Sequence, residues 1–157
     1  MNFIFGQYKS SVHIEPSIPS LTTILKAAKT ERAIIVCDEN TAPFAETIRG
    51  GLPAAVYVMP AGEESKEWRS VEAVLHAALE AGLDRDALFV AAGGGVISDV
   101  CGFAASVYKR GAAFSIVSTT LLGMVDAALG GKTGFDIFGI KNFAGSFYPA
   151  RHVYAPL

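Results

Sequence analysis

The sequence is poor in the features that mark several functional classes. It has two cysteines, Cys37 and Cys101, both inside apolar runs and without C-x-x-C spacing. That argues for two buried thiols in an intracellular protein rather than a disulfide scaffold or a cysteine zinc site. The three histidines, His13, His76 and His152, are scattered without H-x-x-x-H spacing, so no complete metal site is visible. Charge of one sign is also missing. A net charge of −2 and a sequence pI of about 5.9 argue against nucleic acid or a membrane surface as a partner. Residues 1–5 lack a basic region followed by a long apolar segment, so no signal peptide is read and a cytoplasmic protein is expected. Residues 87–107 are apolar, but they carry a glycine triplet and Asp99, against a membrane span. There is no internal repeat and no low-complexity linker. With 51% hydrophobic and 18% charged residues, the 157-residue chain has material for one domain with a real core.

What is present is a succession of short apolar runs separated by turn chemistry. Residues 3–15 read as one or two short strands, from the spacing of Phe3, Phe5, Val12 and Ile14. Pro16 and Pro19 break the chain before a helix over 20–29, where Leu21, Ile24, Leu25 and Ala28 recur at helical spacing. Residues 33–37 and 55–59 are continuous apolar runs typical of strands buried on both faces, with a helix over 42–48 between them. A polar loop over 60–66 leads to a helix lined by Trp68, Val71, Leu75, Ala78 and Leu79 and ended by Gly82. The strand over 87–92 runs into Gly93-Gly94-Gly95, and a nearly all-apolar helix follows to about Tyr108. Lys109-Arg110-Gly111 supplies cations and a glycine for the end of that helix. A strand over 114–117 is followed by Ser118-Thr119-Thr120, hydroxyls that suit the cap of a helix over 121–129. From Gly130 the chain reads as glycine-rich and irregular, until a short strand over 151–154. This alternation predicts an α/β fold: Rossmann-like, a mostly parallel sheet with helices on both faces. The strand ends at Asp38, Gly93 and Thr119 should then share the carboxyl edge, where such sheets bind ligands.

Each candidate site residue has two readings. The glycine triplet is a tight turn, or a bare-backbone seat for a phosphate against the positive end of the next helix. It is not G-x-G-x-x-G. Asp99, expected in the first turn of that helix, is either settled by the helix dipole or partnered by a ligand hydroxyl. Asp38 and Asn40 serve an Asx turn, or bind ribose or adenine. Glu63 and Lys66 form an exposed ion pair of little worth, or face a ligand. Asp126 and Lys132 form a structural salt bridge, or aim together into a cleft. Gly131-Lys132-Thr133 imitates the tail of a P-loop, but the first glycine of that motif would fall on Asp126, so ATP hydrolysis is discarded.

Taken together, the residues from Gly93 to Asn142 resemble the dehydroquinate synthase family of sugar-phosphate cyclases. The segments that carry the resemblance are Gly-Gly-Gly-Val-Ile-Ser-Asp, Tyr108-Lys109-Arg110-Gly111, Ser118-Thr119-Thr120-Leu121-Leu122, Val125-Asp126, Gly130-Gly131-Lys132-Thr133-Gly134 and Lys141-Asn142. Asp38-Glu39-Asn40 and Gly62-Glu63-Glu64-Ser65-Lys66 extend it upstream, and Ser98 stands where the family usually has glycine. The resemblance covers the whole chain, residues 1–157, as the family's NAD-binding N-terminal domain. A helical C-terminal domain carrying the zinc or cobalt ligands lies outside it, and the chain is expected to turn nothing over without that domain.

The family's reaction belongs to the shikimate pathway of aromatic amino-acid biosynthesis. It converts 3-deoxy-arabino-heptulosonate 7-phosphate to 3-dehydroquinate and phosphate, with NAD returned unchanged. The resemblance implies that Asp38, Asn40, Glu63, Lys66, Gly94, Gly95, Asp99, Thr119 and Thr120 hold NAD, with Lys132 and Lys141 beside it. It implies that Asp126, Lys132, Lys141 and Asn142 hold substrate. Arg110 would reach the substrate phosphate of a neighbouring subunit, which implies a homodimer. Lysines of this kind can stabilise an oxyanion that develops during oxidation. The alternatives are another sugar-phosphate cyclase (inosose, valiolone or aminodehydroquinate), a glycerol-dehydrogenase-like oxidoreductase, and a nucleotide-binding module without catalysis.

Overall fold

The computed structural model describes residues 1–5, 8–124 and 130–157. The chain opens with an antiparallel pair, β1 (Asn2–Phe5) and β2 (Tyr8–Glu15). Helix α1 (Leu21–Ala28) begins at Ser20, whose hydroxyl accepts the Thr23 N–H, and ends at Lys29 in a left-handed conformation. Strand β3 (Ala33–Asp38), helix α2 (Ala42–Arg49) and strand β4 (Ala55–Met59) follow. A 3₁₀ turn (Glu63–Ser65) leads into α3 (Trp68–Glu80), then β5 (Leu88–Gly93) and α4 (Gly95–Val107). Strand β6 (Ala113–Ser118), the pair β7 (Lys132–Ile137) and β8 (Ile140–Phe147), and β9 (His152–Pro156) complete the described elements.

Seven strands form one sheet in the order β1-β2-β9-β6-β5-β3-β4, parallel throughout except for β1. β3, β5 and β6 are buried along nearly their whole length, as their unbroken apolar runs require when helices cover both faces. One apolar layer packs α1 and α2 on one face through Leu21, Ile24, Ala45 and Ile48. The other packs α3 and α4 on the opposite face through Val71, Val74, Val100 and Ala104. This is the predicted Rossmann-like α/β architecture. The path from β3 runs outward to β4, whereas that from β5 runs the other way to β6. The sheet order therefore reverses between β3 and β5, and the crevice lies at the ends that carry Asp38 and Gly93.

Two expectations are corrected. The stretch after Gly130 is not irregular: β7 and β8 pair antiparallel as a hairpin that lies over α4, with Phe135 buried against Trp68 and Phe103. The two-residue turn at Phe138-Gly139 has positive φ at both positions (58° and 72°), the pattern of a type I′ hairpin turn. Asn-Gly is the usual signal there; a phenylalanine in that place hid the turn. The second correction concerns the end of α4. The helix ends near Tyr108 as expected, but its C-cap is Tyr108 rather than Gly111, which closes the 3₁₀ turn that follows; in that turn Lys109 and Arg110 adopt φ of 46° and 69°, and the Lys109 ammonium donates to the Leu83 carbonyl at 2.8 Å. Of the helix expected over 121–129, residues 125–129 lie outside the described residues.

Candidate active site

A cavity of about 560 Å³ opens between the start of α4 and the β7–β8 hairpin. Lys66, Asp99, Lys132 and Asn142 line it together with Thr133, Ser146 and Phe147. Asp99 is the fifth residue of α4, one turn deeper than expected, so its carboxylate is not a first-turn group settled by the dipole. Its partner is Lys66, whose ammonium lies 2.5 Å from Asp99 Oδ2, with both side chains largely withdrawn from water. Burial holds the Asp99 carboxyl above the ordinary carboxylate range, against the opposing pull of the Lys66 hydrogen bond and charge. The Asp99 carboxylate borders the cavity.

The expected Glu63–Lys66 pair does not form. Lys66 is buried and turns to Asp99, and also donates to Asn142 Oδ1 at 2.5 Å. Glu63 stays exposed, 4.0 Å from the Lys141 ammonium. A buried cation needs full compensation, and among the described residues Asp99 and Asn142 provide it.

Along the sheet edge, Asp38 makes the Asx turn that was its bland reading. Its Oδ1 accepts the N–H and the hydroxyl of Thr41, each at 2.8 Å, and Thr41 caps α2. Asn40 is exposed beside it. Gly94 is the cap residue of α4, and a Cβ there would lie 3.3 Å from Thr120 Cγ2. The backbone between β5 and α4 is thus bare and abuts the loop after β6. Thr120 Oγ1 accepts the Gly123 N–H at 3.0 Å, as its capping role predicts. The Thr119 hydroxyl is buried without a hydrogen-bond partner among the described residues. Ser98 does not crowd the turn: its hydroxyl donates to the Gly95 carbonyl at 2.9 Å.

Two expected residues stand apart. Arg110 is exposed beyond the far end of α4, about 20 Å from its start by the helix rise alone. Asp126 lies outside the described residues. Several lining residues had not been singled out, chiefly Ala144, Ser146 and Phe147, because they reach the cavity through the hairpin.

Residues 56–157 match the family model of the 3-dehydroquinate synthase N-terminal domain. The chain belongs to the 3-dehydroquinate synthase family. It is 39% identical over 157 residues to the 3-dehydroquinate synthase of Acidithiobacillus ferrooxidans, a match over 96% of this chain and 43% of that protein. The chain thus spans less than half the length of this curated relative. Among solved structures it is similar to 2-deoxy-scyllo-inosose synthase complexed with carbaglucose-6-phosphate, NAD+ and Co2+. That likeness has a TM-score of 0.88 and 26% identity, over 99% of this chain and 45% of the other. It is also similar to the 2-epi-5-epi-valiolone synthase of Streptomyces hygroscopicus with NAD+ and Zn2+ bound. There the TM-score is 0.79 with 27% identity, over 98% of this chain and 44% of that one.

Proposed function

We propose that this chain is the NAD-binding part of a 3-dehydroquinate synthase, the lyase that forms 3-dehydroquinate and phosphate from 3-deoxy-arabino-heptulosonate 7-phosphate. The observation that carries this reading is the Lys66–Asp99 pair in the cavity beside the bare-glycine start of α4. The residues fit a dinucleotide. The start of α4 offers unpaired backbone N–H groups, the Thr119 hydroxyl has no hydrogen-bond partner among the described residues, and the Asp99 carboxylate borders the cavity. Gly94, Gly95, Thr119 and Thr120 would cradle the phosphates. Lys66 and Asp99 would hold the adjoining ribose, and Asp38, Asn40 and Glu63 would border the crevice.

The bound nucleotide supplies a hydride acceptor that later returns the hydride. This chain's own part is to hold and orient. Lys132 would stand with Asn142 around the substrate, and its ammonium would stabilise negative charge that develops on a carbinol oxygen. Lys141, near Glu63, and Asp126 complete the proposed substrate set. Arg110 is exposed beyond the end of α4 and does not line this cavity; in the proposed homodimer it would serve another copy's phosphate. A guanidinium fork suits that ligand. No group of three or more His, Cys, Asp or Glu suited to a metal occurs among the described residues, so the donors they offer do not fit zinc or cobalt. The two free, buried thiols accord with a cytoplasmic protein. Another NAD-dependent sugar-phosphate cyclase is the second reading, favoured by the likeness to the inosose synthase.

Calorimetric titration with NAD, run beside Asp99→Ala, tests the reading. The wild-type chain should bind and the variant should lose at least about tenfold in affinity, the scale of one charge-assisted hydrogen bond. A wild-type chain that is folded by circular dichroism yet gives no heat with NAD would overturn it.

A further inference from the structure

Asn142 has a backbone that a strand does not explain. It lies within β8 but has φ of 52°, in the left-handed region. Around it the ladder is irregular: Phe135 pairs with Ala144 and Ile137 with Ile140. One residue of β7, Asp136, therefore stands opposite three of β8, residues 141–143. Bulges of this kind turn a side chain away from its strand face, and asparagine is one of the few non-glycine residues that takes up the left-handed region. The bulge is held from β7.

Asp136 touches both sides of this arrangement. Its Oδ1 accepts the Asn142 backbone N–H at 2.7 Å. Its own N–H donates to the Lys66 carbonyl at 2.7 Å, and it bridges to Glu67 across the gap between the hairpin and the loop before α3. The side chains of the two residues it holds then meet, Lys66 Nζ donating to Asn142 Oδ1 and pairing with Asp99. The result is a closed circuit: Asp136 to Asn142, Asn142 to Lys66, and Lys66 back to Asp136 through its own carbonyl.

We infer that Asp136 is a positioning residue of the cavity, fixing Asn142 in its left-handed bulge so that the Asn142 amide and Asp99 together aim the Lys66 ammonium at bound NAD. The inference rests on the proposed reading only for the identity of the ligand. Asp136 does not itself line the cavity. What it needs to supply is a side-chain oxygen at Oδ1, not a charge. An asparagine keeps that oxygen and an alanine does not.

The test uses the full 157-residue chain, with the Asn142 amide read by NMR without ligand and NAD affinity read by calorimetry. Asp136→Ala should move the Asn142 amide resonance and its three-bond HN–Hα coupling away from the wild-type values and weaken NAD by about tenfold, as loss of an aligned cation does. Asp136→Asn should restore both. In an Asn142→Ala background, Asp136→Ala should cause little further loss, because the two act through one contact. A general loss of packing would instead weaken NAD equally in both backgrounds, and that result would overturn the inference. So would an Asn142 amide unchanged in Asp136→Ala. If the wild-type chain binds no NAD, the proposed function fails, while the Asn142 amide still decides the role of Asp136.

Discussion

At the scale of single residues, charge compensation explains the site. Lys66 is buried, and an unpaired buried ammonium would cost several kcal/mol, so its neighbours are obligatory. Asp99 carries the opposing cost, visible as a carboxyl pushed above its ordinary range mainly by burial. Steric room matters as much. Gly102, in the middle of α4, faces both the hairpin and the sheet. A Cβ there would lie 2.5 Å from Thr133 Cγ2 and 2.8 Å from Phe114 Cε1. Gly102→Ala should therefore destabilise the chain by about 1–3 kcal/mol despite alanine's better helix propensity, which is worth about 1 kcal/mol. Urea unfolding checks this. A midpoint equal to or above wild type would mean that the hairpin can move aside at no cost.

At the scale of elements, the junction of β2 and β9 is the pH-sensitive one. His13 Nε2 and His152 Nδ1 lie 3.1 Å apart, and the His13 ring stacks on Tyr154 at 4.6 Å. Burial, and then the neighbouring His13, hold the His152 imidazole below the ordinary histidine pKa of 6.5. Its pKa is thus lower folded than unfolded, so the unfolded chain binds the proton first. Stability from this group is complete above about pH 6.5 and falls as pH drops from there toward the folded pKa. Urea midpoints measured from pH 8 down to pH 5 should decline below about 6.5, and less steeply in His152→Gln. The same decline in both proteins would place the titration elsewhere. Hydrogen exchange should show β2 loosening before β5, since β2 lies toward the sheet edge and β5 at its centre.

At the scale of the whole molecule, the surface is more apolar than a self-contained domain needs. Phe138, Phe147, Leu121 and Leu122 are each more than 70% exposed, and Phe143 lies beside Phe138. Exposed apolar side chains gathered on one hairpin favour association. Sedimentation velocity should show the average mass rising with concentration, and the double variant Phe138→Ser/Phe143→Ser should reduce that rise. An unchanged association would move the contact away from the hairpin tip.

What the sequence determined by itself was the series of elements as far as β6 and the place of the glycine turn. Short apolar runs rich in β-branched and aromatic residues and bounded by turn residues, such as Ile34-Ile35-Val36 and Leu88-Phe89-Val90, read as strands covered on both faces, and Gly93-Gly94-Gly95 leaves one bare turn. Those signals are local, within a turn or a pleat of each residue. What only the tertiary structure decided was who meets whom. Strand β9, last in the chain, enters between β2 and β6. Lys66 takes Asp99 rather than the nearby Glu63, and reaches Asn142 across 76 residues of chain. The hairpin that brings Asn142 there turns at a phenylalanine, where local chemistry calls for asparagine or glycine. Propensity is a sum over neighbours in sequence. A buried cation takes its partners from its neighbours in space, and these are set by which faces must leave water.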